Sequence, residues 1–275
     1  MVMSSLSSAW QGFRDVLRFD NRMQLLLNRS LFRHTGLTVY KMQGREFVVD
    51  HGAGDQNGTR ACIVSDMYRR FLDRMSFPRP AVVLDLGANG GGFPLMLALH
   101  GIPITKVVSI ELNPNTFARM QMNITNNLEE SEVKTINAAV CGEARTFEVT
   151  LGRGSTSDSV TKAQVQFNGR GKPYQIPGIT LDDIWHNWFD KNATVDICKM
   201  DIEGSEYEIF FSDTHHFAKR FRYLILEIHP NPQRSKQDVI QAIEGLGFKP
   251  LLPRDGLVGL HDVYAFENQA VLNGS

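Results

Sequence analysis

The chain has 275 residues, with 29 basic and 30 acidic side chains and a formal net charge of −1. That length suits one large domain or a domain with an added segment, and the charge balance gives no general attraction to nucleic acid or to an anionic membrane. Three dispersed cysteines, Cys62, Cys141 and Cys198, suggest neither a disulfide framework nor a zinc ribbon and fit a reducing, cytoplasmic setting. No apolar run approaches the roughly 20 residues of a membrane span. The serine-rich start with Arg14, Arg18 and Arg22 has the look of a transit peptide, against which Asp15 and Asp20 argue.

From Ser8 to Phe32 the apolar spacing predicts a helix packed on the main domain. Leu37–Met42 and Glu46–Val49 flank Gln43-Gly44-Arg45 and read as a hairpin. His51 to Gly58 is a loop without the GK[ST] of a Walker phosphate loop. A helix from Ile63 to Met75 leads to Phe77-Pro78-Arg79-Pro80, whose prolines set a boundary between an N-terminal helix and hairpin appendage, 1–80, and the remainder, 81–270. Beyond it, strands are predicted at Val82–Leu86, Lys106–Glu111, Val133–Asn137, Ile197–Asp201 and Tyr223–Ile228. Helices alternate with them at Phe93–Leu99, Pro114–Asn127, Ser205–Phe211 and Ser235–Leu246. This is the pattern of an α/β fold, a parallel sheet covered by helices on both faces. Lys249–Leu252 and Val263–Phe266 add a hairpin that makes the sheet mixed. Gly152 to Pro177, rich in Gly, Ser, Thr and Asp, reads as a lid or binding loop, with a disordered insertion as the alternative, and it and the N-terminal appendage are expected to cover the site where the substrate binds.

The stretch Val82 to Leu97 (VVLDLGANGGGFPLML) is a buried strand turning tightly into a helix, with Asp85 at the strand's end and Gly87, Gly90, Gly91 and Gly92 in the turn. Glycines admit close backbone approach and a helix N-terminus offers free N–H groups. A dinucleotide fingerprint wants glycine where Asn89 stands, which disfavours NAD and a hydride-transferring oxidoreductase. Glu111 ends the next strand, where a carboxylate is placed to accept the hydroxyls of a ribose.

Four blocks recur in order: Asp85-Leu86-Gly87-Ala88-Asn89-Gly90-Gly91, Ile110-Glu111-Leu112-Asn113-Pro114-Asn115, Lys199-Met200-Asp201-Ile202-Glu203-Gly204-Ser205-Glu206, and Leu226-Glu227-Ile228-His229. As a set, over about Val82 to Phe266, they resemble the FkbM family of S-adenosylmethionine-dependent methyltransferases. Gly91-Gly92 stands where that family commonly has isoleucine or valine followed by glycine. The resemblance implies a class I methyltransferase with a Rossmann-like, seven-stranded, mostly parallel sheet, usually acting on oxygen. It also implies that Asp85, Gly87, Asn89 and Gly90 hold the methionine half of S-adenosylmethionine, that Glu111 holds the ribose with Asn113 at the pocket's edge, and that Asn137, Ala138 and Ala139 lie beside the adenine.

Asp201, Glu203 and Glu206 leave one strand at the same edge as the glycine turn, and Glu227 and His229 leave the next. Alternation puts Glu227 and His229 on one side of their strand. Methyl transfer to oxygen requires alignment of the acceptor and removal of its proton. His229 or Asp201 is the expected base, with Glu227 orienting the imidazole. The alternative is that Asp201, Glu227 and His229 bind a divalent metal, which is less favoured because no compact ligand motif is present. His215-His216 reads as surface, since adjacent histidines do not share a helix face, and Trp185 and Trp188 read as core with an acceptor-pocket wall as the alternative. The expected acceptor is a small molecule, sugar, glycan or natural product. RNA ribose 2′-O-methylation and a non-catalytic nucleotide-binding scaffold are the other readings; the first lacks an interleaved aromatic and basic stretch.

Overall fold

Four parallel strands of largely apolar sequence form the centre of the sheet, because strands buried on both faces need side chains of low polarity on both, and a fifth, Glu132–Asn137 at the edge, alternates polar and apolar residues. The computed structural model describes residues 10, 12–31, 36–151, 172–252 and 262–273. The strands are β1 (Leu37–Met42), β2 (Arg45–Asp50), β3 (Ala81–Leu86), β4 (Ile104–Glu111), β5 (Glu132–Asn137), β6 (Ala139–Val140), β7 (Thr146–Leu151), β8 (Lys172–Ile179), β9 (Val195–Met200), β10 (Phe221–Glu227), β11 (Phe248–Pro250) and β12 (Val263–Asn268). The main sheet has seven strands in the order β11-β12-β10-β9-β3-β4-β5. β5, β4, β3, β9 and β10 run parallel, and β12 is antiparallel to both of its neighbours. The chain winds outward from β3 in one direction through β4 and β5 and in the other through β9 and β10. The crevice at the carboxyl ends of β3 and β9 is therefore the topological switch point where open α/β sheets bind ligands.

Alternation along these strands divides the interior into two cores. Leu84, Leu86, Val108, Ile110, Cys198 and Met200 pack with the helix Leu181–Trp188 on one face. Val83, Val107, Ile197, Tyr223 and Ile225 face the other side, where Phe19, Tyr40, Phe47, Cys62 and Phe71 join the same cluster. The N-terminal segment thus shares its core with the sheet. Asparagines of the helix Pro114–Thr125 and its end fasten the hairpin β1–β2 to it: Asn123 exchanges hydrogen bonds with Val48 (2.7 and 2.9 Å), and Asn127 with Glu46 (3.1 and 2.7 Å). A fully buried Asp55 accepts from Arg119 at 2.6 and 2.9 Å.

Several elements differ from expectation for identifiable reasons. The N-terminal helix is interrupted over 17–21, where Asp20 N–H reaches Lys41 O (2.8 Å) and Asn21 brackets β1 through Val39 O and Lys41 N–H. Pairing with the hairpin edge outcompetes helix continuation. The expected helix Ile63–Met75 is two helices, Ala61–Val64 and Asp66–Leu72, because the Ser65 side chain accepts from Met67 N–H and caps the second. Part of the expected loop Gly152–Pro177 is strand β8, paired with β7 and β6, with Ile176 buried. Pro173 and Pro177 disguised that strand in the sequence; residues 152–171 lie outside the described residues. Trp185 is core, stacked on Phe189 and Phe217. His215 and His216 spend their Nδ1 atoms on the turn carbonyls of Ser212 and Asp213.

Candidate functional site

The turn after β3 is built by residues in unusual backbone conformations. Gly87 has φ +74°, and a Cβ there would lie 1.8 Å from the carbonyl oxygen of Asp201. A Cβ on Gly90 would lie 2.2 Å from Thr59 Oγ1. These glycines therefore first permit close packing of protein on protein, against β9's end and the N-terminal segment, rather than an open ligand cradle. Asn89, at φ +49°, turns its side chain inward, where Oδ1 accepts from Gly90 N–H (2.8 Å) and from the Thr59 hydroxyl (3.2 Å).

Glu111 ties this turn to the next. Its Oε2 accepts from Asn89 N–H at 2.9 Å and its Oε1 from Asn113 N–H at 2.8 Å. The Asn113 side chain is the N-cap of the helix Pro114–Thr125, accepting from the N–H groups of Asn115 and Thr116. Its side chain is fully buried and serves helix initiation. Asn137 Nδ2 donates to Glu111 O (2.8 Å) and Leu112 O (2.9 Å), and Ala138 is buried beside them.

Beneath the turn lies a group that sequence reading passed over. Lys199 is 5% exposed, and its Nζ lies 3.6 Å from Asp85 Oδ1 and 3.6 Å from Asp201 Oδ2 while donating to Gly87 O at 2.5 Å. Asp85 and Lys199 are cross-strand partners of β3 and β9 and share the face that looks toward the N-terminal segment. Both carboxylate oxygens of Asp85 are buried without a hydrogen-bond partner. Burial pushes Asp85 up to about 6, partly offset by the Lys199 charge. Burial works to lower Lys199, and the carboxylates of Asp201 and Asp85 overcome it, so its pKa is raised. A lysine within the otherwise buried run VDICKM was the available signal, since lysines are almost never fully buried unless paired.

The acidic wall forms where β9 and β10 end side by side. His229 Nδ1 is 2.9 Å from Oε1 of Glu206, which is fully buried and also accepts from Ile202 N–H. Glu206, rather than the expected Glu227, orients the imidazole. On the other side of the ring, Nε2 lies 3.5 Å from Glu203 Oε2, 3.8 Å from Glu227 Oε1 and 3.9 Å from Asp201 Oδ1. Burial, then the Asp201 charge, raises Glu227 to about 7. Burial works to lower His229, but the hydrogen bond to Glu206 and the charges of Glu206, Glu203 and Asp201 outweigh it and raise it to about 9. Three carboxylates stand on this side of the ring, so a carboxylate is better placed than the imidazole to accept a proton from a ligand in the crevice.

A cavity of about 450 Å³ joins these parts. Asn89, Lys199, Asp201, Glu203 and Glu227 form its polar side, and Cys62, Met67, Tyr68 and Phe93 its apolar side. Cys62, Met67 and Tyr68 come from the N-terminal segment, which the sequence placed near the site without identifying these residues. Glu111, Asn137 and Ala138 lie outside this cavity, toward β5. A larger polar cavity of about 610 Å³ sits at the amino ends of β4 and β5, near Arg45, Ile104 and Glu130, away from the acidic wall.

The family model "Methyltransferase FkbM domain" matches residues 85–250. No curated protein matches the chain. Among solved structures, a SAM-dependent methyltransferase from Agrobacterium tumefaciens is similar at 10% identity and TM-score 0.46, over 84% of this chain and 70% of that one. The tRNA m1G37 methyltransferase of M. jannaschii is similar at 15% identity and TM-score 0.40, over 85% of this chain and 54% of that one. The ribosomal protein L11 methylase of Lactobacillus delbrueckii subsp. bulgaricus follows at 13% identity and TM-score 0.38, over 77% and 79%. This chain spans about half the length of the M. jannaschii protein.

Proposed function

Because the chain belongs to the methyltransferase FkbM family, we propose that it transfers a methyl group from S-adenosylmethionine and that its acceptor atom is a hydroxyl oxygen of a small molecule, sugar or natural product. The observation that carries this reading is the wall of Asp201, Glu203 and Glu227 facing the cavity beside the glycine turn. A hydroxyl is a weak nucleophile until its proton is drawn away, and here carboxylates stand at the cavity surface to receive it. The same wall repels phosphates, which argues against a nucleic-acid acceptor.

The residues present fit the cofactor. The crevice opens at the switch point, and the buried oxygens of Asp85, ion-paired with Lys199 but without a hydrogen-bond partner, lie beneath the turn that borders it. Gly87, Asn89 and Gly90 would shape the turn against which the methionine half lies. Asp85, fully buried, would act from beneath by fixing Lys199 and, through it, the Gly87 carbonyl. Glu111 would hold the ribose, with Asn137 and Ala138 flanking the adenine. When bound, the sulfonium supplies a methyl carbon to which the acceptor oxygen bonds as the carbon–sulfur bond breaks and its electron pair stays on sulfur; the acceptor proton passes to a wall carboxylate. Segment 1–80 acts as the acceptor-side cover, contributing Cys62, Met67 and Tyr68 to the apolar side of the cavity. The Tyr68 ring, the Met67 thioether and the Cys62 thiol would exclude water and seat the carbon skeleton of the acceptor.

A labelled-methyl transfer screen over hydroxylated sugars, natural-product scaffolds, amines and RNA tests the reading. Methyl ethers of sugars or natural products are the expected products. Transfer confined to amines or RNA would overturn it.

A further inference from the structure

We infer that Asp201, Glu203, Glu227 and His229 form a binding site for one divalent metal ion of the Mn2+ or Mg2+ class. Three observations carry this. First, the ligand atoms converge: one atom each from Asp201, Glu227 and His229 lies within 4.8 Å of the others. The distances from His229 Nε2 to the three carboxylates, 3.5, 3.8 and 3.9 Å, are too long for good hydrogen bonds. They suit donors arranged around a common ion, since atoms about 2.1 Å from one centre lie about 3 Å apart at right angles and about 4.2 Å apart in line.

Second, the imidazole is buttressed as metal-bound histidines are. Nδ1 meets Oε1 of the fully buried Glu206 at 2.9 Å, which fixes the ring and directs Nε2 at the three carboxylates. The other oxygen of Glu206 is buried without a hydrogen-bond partner. A buried carboxylate in that state is costly, and a dication on the far side of the ring would offset its charge. Third, the Lys199 ammonium that reaches Asp201 at 3.6 Å is shared with Asp85 at the same distance, so it balances those two carboxylates only in part.

The ligands come from the ends of two adjacent parallel strands and line the cavity through Asp201, Glu203 and Glu227, so an ion held there would keep positions open toward the acceptor. One imidazole among carboxylates favours Mn2+ over Mg2+. The ion's use would be to lower the pKa of the acceptor hydroxyl. That use rests on the oxygen-acceptor reading, whereas ion binding itself does not.

The test is titration of the full chain, freed of metal by chelation, with Mn2+, followed by calorimetry and by electron paramagnetic resonance. One saturable site is expected, with nitrogen hyperfine coupling from the imidazole. His229→Ala and Glu227→Gln should each weaken Mn2+ binding at least about tenfold, and Glu206→Gln by a factor of about 10–100. Glu130→Gln, far from the site, should leave it unchanged. S-adenosylhomocysteine should still raise the melting temperature of each variant, which separates lost metal binding from lost folding. Absence of saturable Mn2+ or Mg2+ binding, absence of the nitrogen coupling, or binding that survives both His229→Ala and Glu227→Gln would overturn the inference. Saturable binding together with methyl transfer only to nitrogen would instead overturn the oxygen-acceptor reading.

Discussion

Lys199→Met removes the cation between two carboxylates, and its effect on stability should depend on pH in a calculable way. Asp85 is fully buried, and Lys199 is its ion-pair partner at 3.6 Å. Breaking a buried pair from one side costs about 3–5 kcal/mol, because a charge remains without compensation. Asp85 can escape part of that cost by taking a proton, at about 1.4 kcal/mol for each unit by which the pH exceeds its pKa. With Lys199 present its pKa is already raised to about 6; without Lys199 it rises further. A carboxyl whose folded pKa is raised contributes stability below its unfolded pKa that is lost as pH rises through the folded one. The penalty of Lys199→Met is therefore about 3–5 kcal/mol at pH 8. At pH 5, where Asp85 is largely protonated in both proteins, it shrinks toward the loss of the charge-assisted hydrogen bond to Gly87 O, about 1.5–3 kcal/mol. Urea denaturation at the two pH values reads both numbers, and adding Asp85→Asn to Lys199→Met should recover most of the loss at pH 8. An equal penalty at both pH values, or no recovery with Asp85→Asn, would refute the reasoning.

Three further outcomes are expected. Gly87→Ala places a Cβ 1.8 Å from Asp201 O at φ +74°; left-handed strain of about 1–2 kcal/mol and overpacking of about 1–3 kcal/mol should lower the urea midpoint, and an unchanged midpoint would contradict the packing described. Glu111→Ala removes the acceptor for the N–H groups of Asn89 and Asn113 and the proposed ribose partner, so calorimetry should find S-adenosylhomocysteine binding weakened at least about tenfold, one charge-assisted hydrogen bond being about 1.5–3 kcal/mol. Asn123→Ala orphans the Val48 N–H and carbonyl; it should cost about 1–3 kcal/mol and speed hydrogen exchange at Val48 with little change at Val108 in the sheet centre.

Much of the central sheet was legible because local periodicity encodes it. β3, β4, β5, β9 and β10 begin and end within two residues of the expected places, since β3, β4, β9 and β10 are largely apolar runs, β5 alternates as an edge strand does, and their ends are marked by glycine, asparagine or acidic residues. Where competing contacts come from distant residues, the local signal failed. The N-terminal helix breaks because Asn21 pairs with β1, and β8 forms because β7 lies alongside it. Neither partner can be inferred from the segment itself.

The candidate site divides along the same line. Residue types and strand ends already placed Asp85, Glu111, Asp201, Glu227 and His229 at one edge, for a period of two and a βα turn fix which positions emerge there. Partnership was decided in three dimensions: that Glu206 rather than Glu227 holds His229, that Lys199 joins Asp85 to Asp201, that Asn113 is spent on a helix cap, and that Thr59, Cys62 and Tyr68 close over the glycine turn. Such pairings depend on side-chain distances between segments far apart in the chain, which hydropathy and spacing do not carry. The sequence dictated which groups stand at the switch point, and packing dictated which of them touch.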